Sequence, residues 1–345
     1  MSDRLAEATG TSVIGGAEGH VSRSLTSLFL PVVVIGAVLA LIPLQIGDSR
    51  VWMGISVLGL AFACYAIGFN LIFGSTGQLF LCVGALAGLG GYGAAIFADT
   101  LGMSIVVSIV LATLVSSLTG GLLSWVAVSR SLGVIFTGII TLIFSLVYES
   151  LLLGLGDLTG GENGFLLKSG ADTFLREQIP PYYVMLALVL VFLVVHAFMR
   201  RSHIGWAFRA LRDDEVAAEL AGVHVARYRV YAAVVGSAML GTAGATYAFT
   251  EGRISPTTYG FAQVDVVVLV MLAFGGIGTV FGPILGAVTF TIIDELLVDL
   301  GQLRVLVYGA LVITLFLWIP RGVIPTVRSM LQRRRVNSSG PPDNP

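Results

Sequence analysis

Arg209, Arg212, Asp213 and Glu215 stand within seven positions of one another in RRSHIGWAFRALRDDEVAAELAGVHVARYR, residues 200–229. Mixed charges at this spacing form neither a nucleophile nor a metal-ligand set; what they can do is match the charges of another protein. The stretch is the one long polar interruption of an oily chain that is also built to form a helix. Asp213 is placed to cap the segment that follows, Asp214 and Glu215 fall in a first turn where the helix dipole favours anions, and Ala217 and Ala218 continue an Ala-rich run that Gly222 ends. A short amphipathic helix is predicted. Two uses fit it: a docking surface for a partner protein, or a loop anchored by arginines at a membrane surface.

Other chemistry is sparse. The one lysine, Lys168 in GFLLKS, does not fit the phosphate-binding GxxxxGK[ST] pattern, so the chain is not expected to hydrolyse ATP itself. His20, His196, His203 and His224 show no metal-ligand spacing with acids or cysteines, and no metal is expected. Cys64 and Cys82 both lie in apolar segments, which suits buried thiols and not a disulfide framework. A self-sufficient ion-coupled carrier needs an acid well inside the bilayer. The acids associated with apolar segments are Glu149, Asp265, Asp294 and Glu295; all four are expected near the outer ends of their segments, with Glu149 the candidate for such a coupling role.

The elements that must hold these residues are membrane spans. The chain has 345 residues, 56% hydrophobic and 11% charged, with a net charge of -1, too little charge to coat a soluble globule and no basic face for nucleic acid. About 20 apolar residues cross the hydrocarbon. Clear runs cover 28–46, 52–73, 79–98, 103–128, 132–154, 182–199 and 230–249, and less regular ones 264–274, 283–298 and 304–320. An all-α polytopic protein of about ten transmembrane segments is expected, some broken by Gly-rich motifs. Its domains are a tail at 1–27, a membrane domain at 28–325 containing the 200–229 segment, and a tail at 326–345. Six of the nineteen basic residues lie in 200–229, which by the positive-inside rule places that segment and both termini in the cytoplasm. Arg130, Arg321, Arg328, Arg333, Arg334 and Arg335 fall on the same side; Asp48, Asp99, Asp157, Glu162, Asp172, Glu177 and Asp299 fall outside.

Two apolar regions are interrupted alike, FGSTGQLF at 73–80 and FGGIGTVF at 274–281, both FGxxGxxF. Paired Gly-interrupted segments point to a translocation path, since a broken helix is tolerated in lipid only where protein or a water-filled cavity satisfies its backbone. Asn70, Gly74, Gly77 and Gln78 at the first break and Gly275, Gly276 and Gly278 at the second are the candidate path residues. Asn70 and Gln78 have amides for a polar solute, or for bonds across helices, the commoner use. The one long outer connection, 155–181, holds DLTGGENGF, whose Thr159, Gly160, Gly161 and Gly164 suit a pore-mouth element or a flexible turn. The small-residue runs at 84–95 and 236–245 favour close helix contact.

Five stretches in order, GFNLIFGSTGQ (68–78), LTGGENGF (158–165), SHIGWAFRALRDDEVAAELAGV (202–223), FGGIGTVFGPILGA (274–287) and WIPRGVIP (318–325), resemble the LivM-type permeases of branched-chain amino acid ABC importers. The resemblance covers about residues 55–325. It implies a multi-pass subunit of the bacterial inner membrane, paired with a second, related permease, two cytoplasmic ATP-binding subunits that hold the ATP and Mg, and an extracytoplasmic solute-binding protein. It also assigns docking on the ATPases to Arg209, Arg212, Asp213, Glu215, Ala217, Ala218 and Gly222. AAELAG resembles the AAxxxG part of the general importer coupling motif, with its acid one place early as Glu215. Members continue the first break with a stretch like GQLSLGHAAF; this chain has Phe80, Cys82 and Val83 where they have Ser, Gly and His. A more apolar pore suited to bulky aliphatic or aromatic solutes, and a change that merely faces lipid, are the two readings of that difference. Relatives are also associated with urea, short amides and aromatic acids.

Overall fold

Backbone groups surrounded by lipid must bond within their own segment, and each of the ten apolar runs is helical over most of its length. A computed structural model describes residues 26–169, 174–301, 303–318 and 322–326. Most of both expected tails, Asp172, Arg321, Arg328, Arg333, Arg334 and Arg335 lie outside the described residues. The helices are α1 (Thr26–Ile46), α2 (Arg50–Phe69), α3 (Val83–Asp99), α4 (Ile105–Ser129), α5 (Val134–Gly154), α6 (Gly156–Thr159), α7 (Pro180–Arg201), α8 (His203–Asp213), α9 (Glu215–Leu220), α10 (Val225–Glu251), α11 (Val266–Gly275), α12 (Gly282–Leu296) and α13 (Leu303–Trp318). A π-helical turn, Asn70–Gly74, extends α2, and another, Phe261–Asp265, precedes α11. Two short strands, β1 (Phe165–Leu166) and β2 (Arg253–Ile254), pair antiparallel. Among the described residues five helices are long and apolar enough to cross a membrane by length and composition: Arg50–Gly74, Ile105–Ser129, Val134–Gly154, Pro180–Arg201 and Val225–Glu251.

The helices are amphipathic in the membrane sense. On α4, Ser108, Ala112, Ser116, Gly120, Ser124 and Ala127 point inward at near-helical spacing, while Val106, Val110, Leu114, Leu118, Leu122 and Trp125 are exposed. Lipid removes the hydrophobic incentive to bury large side chains, so small and hydroxylated residues make the contacts. The small-residue runs at 84–95 and 236–245 pack on each other as expected: a Cβ on Gly90 would overlap the Gly241 carbonyl, and one on Gly244 the Ala87 carbonyl. Ser116 on α4 closes this three-helix core, its hydroxyl directed at Leu86 O (2.8 Å) on α3 and Ser237 O (3.0 Å) on α10.

Three expectations change. The run expected as a span from 79 begins its helix only at Val83, because 77–82 is irregular and not helical. The polar segment forms two helices, α8 and α9, and not one. The cap of the second is Asp214, whose carboxylate accepts from Val216 N (2.9 Å) and Ala217 N (3.0 Å); Asp213 is the last residue of α8. The connection at 155–181 is partly ordered by α6, β1 and its pairing with β2.

Candidate coupling and gating site

Where a helix stops inside a membrane, its last carbonyls and first amides lose their partners and must find others. At the first break α2 ends in the π-turn, and Gly77 adopts φ 72° before an irregular segment leads to α3. At the second, α11 ends at Gly275, Gly276 and Gly278 take φ of 114° and 75°, and α12 starts at Gly282. The second glycine of each FGxxGxxF copy, Gly77 and Gly278, thus makes the same left-handed turn. A Cβ on Gly275 would overlap the Gly282 carbonyl, so the glycine is what lets α11 and α12 meet.

The fold brings the two breaks together. Asn70, fully buried, donates through Nδ2 to Thr279 O (2.7 Å) and accepts through Oδ1 from Gly278 N (2.7 Å). Both ends of its amide are therefore spent between the breaks. Gln78 accepts from Ser124 Oγ on α4 (3.1 Å), the cross-helix use. Gly74 sits against the Asn70 amide and Gly278 N, where a side chain has no room.

The polar segment docks on this junction. Arg212 donates through Nη1 to Gly74 O (2.9 Å) and through Nη2 to Ile277 O (3.4 Å), one carbonyl from each break. Arg200, at the end of α7, donates to Gly278 O. Arg209 is exposed at the same cavity; it lies over the Trp206 ring at 4.4 Å and donates to Arg200 O (3.0 Å). Gly205, Phe208 and Leu211 bury the inner side of α8, whereas Trp206, Val216 and Leu220 are 69%, 66% and 86% exposed. Asp213, Glu215 and Ala217 are also exposed and Ala218 is buried. Glu215 forms an ion pair with Arg229 of α10 (2.7 and 2.8 Å). Gly222, φ 85°, ends α9 with Val223 N donating to Ala218 O and Gly222 N to Glu219 O, a Schellman turn.

Thr159, Gly160, Gly161 and Gly164 do not join this cluster. They lie by β2 at the far end of α10, a helix of 27 residues and so about 40 Å long. Thr159 Oγ1 donates to Leu152 O (2.5 Å), and the three glycines take φ of 78°, 54° and 75°, which explains the glycines by turn geometry.

An acid does lie within the packed helices. Asp265, expected at an interface, is 1% exposed; it accepts from Val83 N, from Gly84 N (3.3 Å) and from Ser145 Oγ (3.1 Å). It caps the N-terminus of α3 in place of the chain's own residues. Glu149 is only half-buried. Phe80 and Cys82 on the irregular approach to α3 and Val83 at its start are at most 1% exposed, so the lipid-facing reading of that difference falls away. Asp214, Thr279, Asp265 and Ser145 were missed as site residues. Only Asp214 carried a local signal, since either aspartate of the pair before Glu215 suits a cap.

Two interrupted helix pairs joined at their breaks, and a polar segment tied to both, define a multi-pass membrane protein built on discontinuous helices. The chain belongs to the family described as branched-chain amino acid transport system, permease component, which matches residues 51–317. It is 30% identical over 318 residues to a Salmonella typhimurium protein named high-affinity branched-chain amino acid transport system permease protein LivM, covering 85% of this chain and 74% of that one. The Escherichia coli LivM is 29% identical over the same shares. The Salmonella typhimurium permease LivH is 26% identical over 77% of this chain and 92% of its own. No solved structure matches the chain.

Proposed function

We propose that the protein is the membrane subunit of an ABC importer and passes a small solute, a branched-chain amino acid or a related amide or acid, across the bacterial inner membrane. ATP and Mg bind to two separate cytoplasmic subunits seated on α8 and α9. The observation that carries the reading is the two-sidedness of α8: its inner side holds the carbonyls of both breaks, while Trp206 and Arg209, with Val216 and Leu220 of α9, present an exposed apolar and basic face for a partner. The similarity to both LivM and LivH supports a second, related permease beside this one, and an extracytoplasmic binding protein completes the importer. In this reading both termini and the 200–229 segment face the cytoplasm, and the β1–β2 end faces out.

Co-purification in mild detergent tests it. ATP-binding subunits are expected with the parent and to be lost, by at least ten-fold, from a Leu220→Asp variant, whose altered side chain is 86% exposed. Equal recovery, or a parent that elutes alone, would remove the docking role. Two substitutions grade the surface. Replacing Gly222 by Val forces a β-branched residue to φ 85° at a cost of about 1–2 kcal/mol and should uncouple uptake from ATP hydrolysis without preventing insertion. The Glu215→Arg variant loses an ion pair with one half-exposed partner, worth at most about 1 kcal/mol, and places like charge beside Arg229; weaker partner binding with a nearly unchanged melting midpoint is expected.

The alternative, an ion-coupled secondary transporter, draws on Asp265 as a buried acid. That carboxylate is already committed to two backbone amides and a hydroxyl, as a structural cap would be. Uptake abolished by an ionophore at constant ATP would favour this second reading.

A further inference from the structure

We infer that Arg212 is the release element of a gate at the junction of the two breaks: it holds the Gly74 and Ile277 carbonyls together, and rotation of α8 withdraws it. The inference deepens the importer reading and rests on it for the force that turns α8.

Three observations carry it. First, α8 is an eleven-residue rod between two extended residues, Ser202 (φ -73°, ψ 172°) and Asp214 (φ -158°, ψ 113°). A rod jointed at single residues on both sides can pivot without unwinding. Arg212 sits near one joint and Arg200 lies just before the other. Second, the bonds of Arg212 go to neutral carbonyls at 2.9 and 3.4 Å. A guanidinium that leaves a carbonyl leaves no carboxylate uncompensated behind it, so this contact can be broken and remade, unlike the ion pair of Glu215 with Arg229. Third, the breaks have a separate connection beneath the arginines. Asn70 ties Gly278 and Thr279 from within, fully buried, so the junction keeps its register when Arg212 departs. What Arg212 controls is the surface layer, where Arg200, which donates to Gly278 O, and Arg209 join it around a small cavity of about 30 Å³ that also touches Gly74, Ser75 and Phe208. Arg212 is in this view a positioning residue, acting through the breaks and not on the solute.

The test uses the full chain in inside-out membrane vesicles and the rate at which an impermeant maleimide labels a Ser75→Cys variant. Cys64 and Cys82 are fully buried and serve as a silent background, which the unsubstituted parent measures. Labelling is expected to be slow with Arg212 present, at least ten-fold faster with Arg212→Ala, and intermediate with Arg212→Lys, which can reach one carbonyl only. In vesicles that lack the ATP-binding subunits, which would cover the position, a Leu220→Cys variant should label equally fast in all Arg212 backgrounds and reports an intact segment. With the ATP-binding subunits present, trapping by ATP and vanadate should change the Ser75→Cys rate when Arg212 is present and not when it is Ala. An Arg212→Ala rate equal to the parent's would overturn the gate, as would an undiminished nucleotide response in that variant. If Arg212→Ala opens the site but nucleotide moves neither form, the gate stands and the ATP-driven reading fails.

Discussion

Replacing Asp265 by Ala is expected to destabilise the protein by about 3 kcal/mol, because it strips a buried helix terminus of its charge-assisted partner. The first amides of α3, Val83 N and Gly84 N, follow an irregular stretch inside the protein, and their acceptor is a carboxylate from a segment more than 180 positions away. No water from the lipid side can replace it. The Asn variant keeps the shape but sets an NH2 group toward a backbone donor, so it should recover less than half of the loss. The thermal midpoint of the detergent-solubilised protein is the measurement; an Ala variant that melts with the parent would show that α3 is held from elsewhere. Because the cap joins α3 to the π-turn before α11, uptake should fall in both variants even where the protein inserts.

A second large effect is expected at the crossing of α3 and α10. A Cβ at position 244 would overlap the Ala87 carbonyl oxygen and lie 2.6 Å from its carbon, against backbone that has no side-chain rotamer to yield. Gly244→Val must push the two helices apart, loosening the Ser116 contacts to Leu86 O and Ser237 O as it does so. Overpacking of this kind costs about 3 kcal/mol, and here it falls on the packing that replaces the hydrophobic effect between helices in lipid. The variant is expected to lose its monodisperse peak on size-exclusion chromatography. Gly54→Val, whose added Cβ meets nothing within 4 Å on the exposed start of α2, is the matched control and should elute as the parent does. Similar elution of both variants would show that the crossing can relax.

Local chemistry made much of this protein legible before any coordinate. Hydropathy located the apolar segments, since a lipid-facing backbone leaves the helix as the one available solution for an unpaired segment. The small-residue runs at 84–95 and 236–245 announced close helix contact, though not that each would meet the other, and Gly222 announced the end of α9. The arginines and acids of 200–229 marked a polar segment between two apolar helices, α7 and α10. Even there the reading slipped by one residue, because Asp213 and Asp214 are equally good caps in sequence and the pivot between α8 and α9 chooses the second.

What tertiary structure alone decided is which distant groups satisfy one another. The FGxxGxxF pair suggested two breaks, but nothing local says that Asn70 spans 209 positions to reach Thr279, or that Arg212 turns inward to Gly74 while its neighbour Arg209 stacks outward on Trp206. Asp265 shows the difference most sharply. Beside an apolar run it has the look of an interfacial acid, and it becomes a buried cap because α3 begins partway through the bundle with its amides unpaired. Sequence sets the supply of polar groups and their local geometry; for the buried ones, such as Asn70 and Asp265, the low dielectric of the packed interior removes the option of water and sets their pairing.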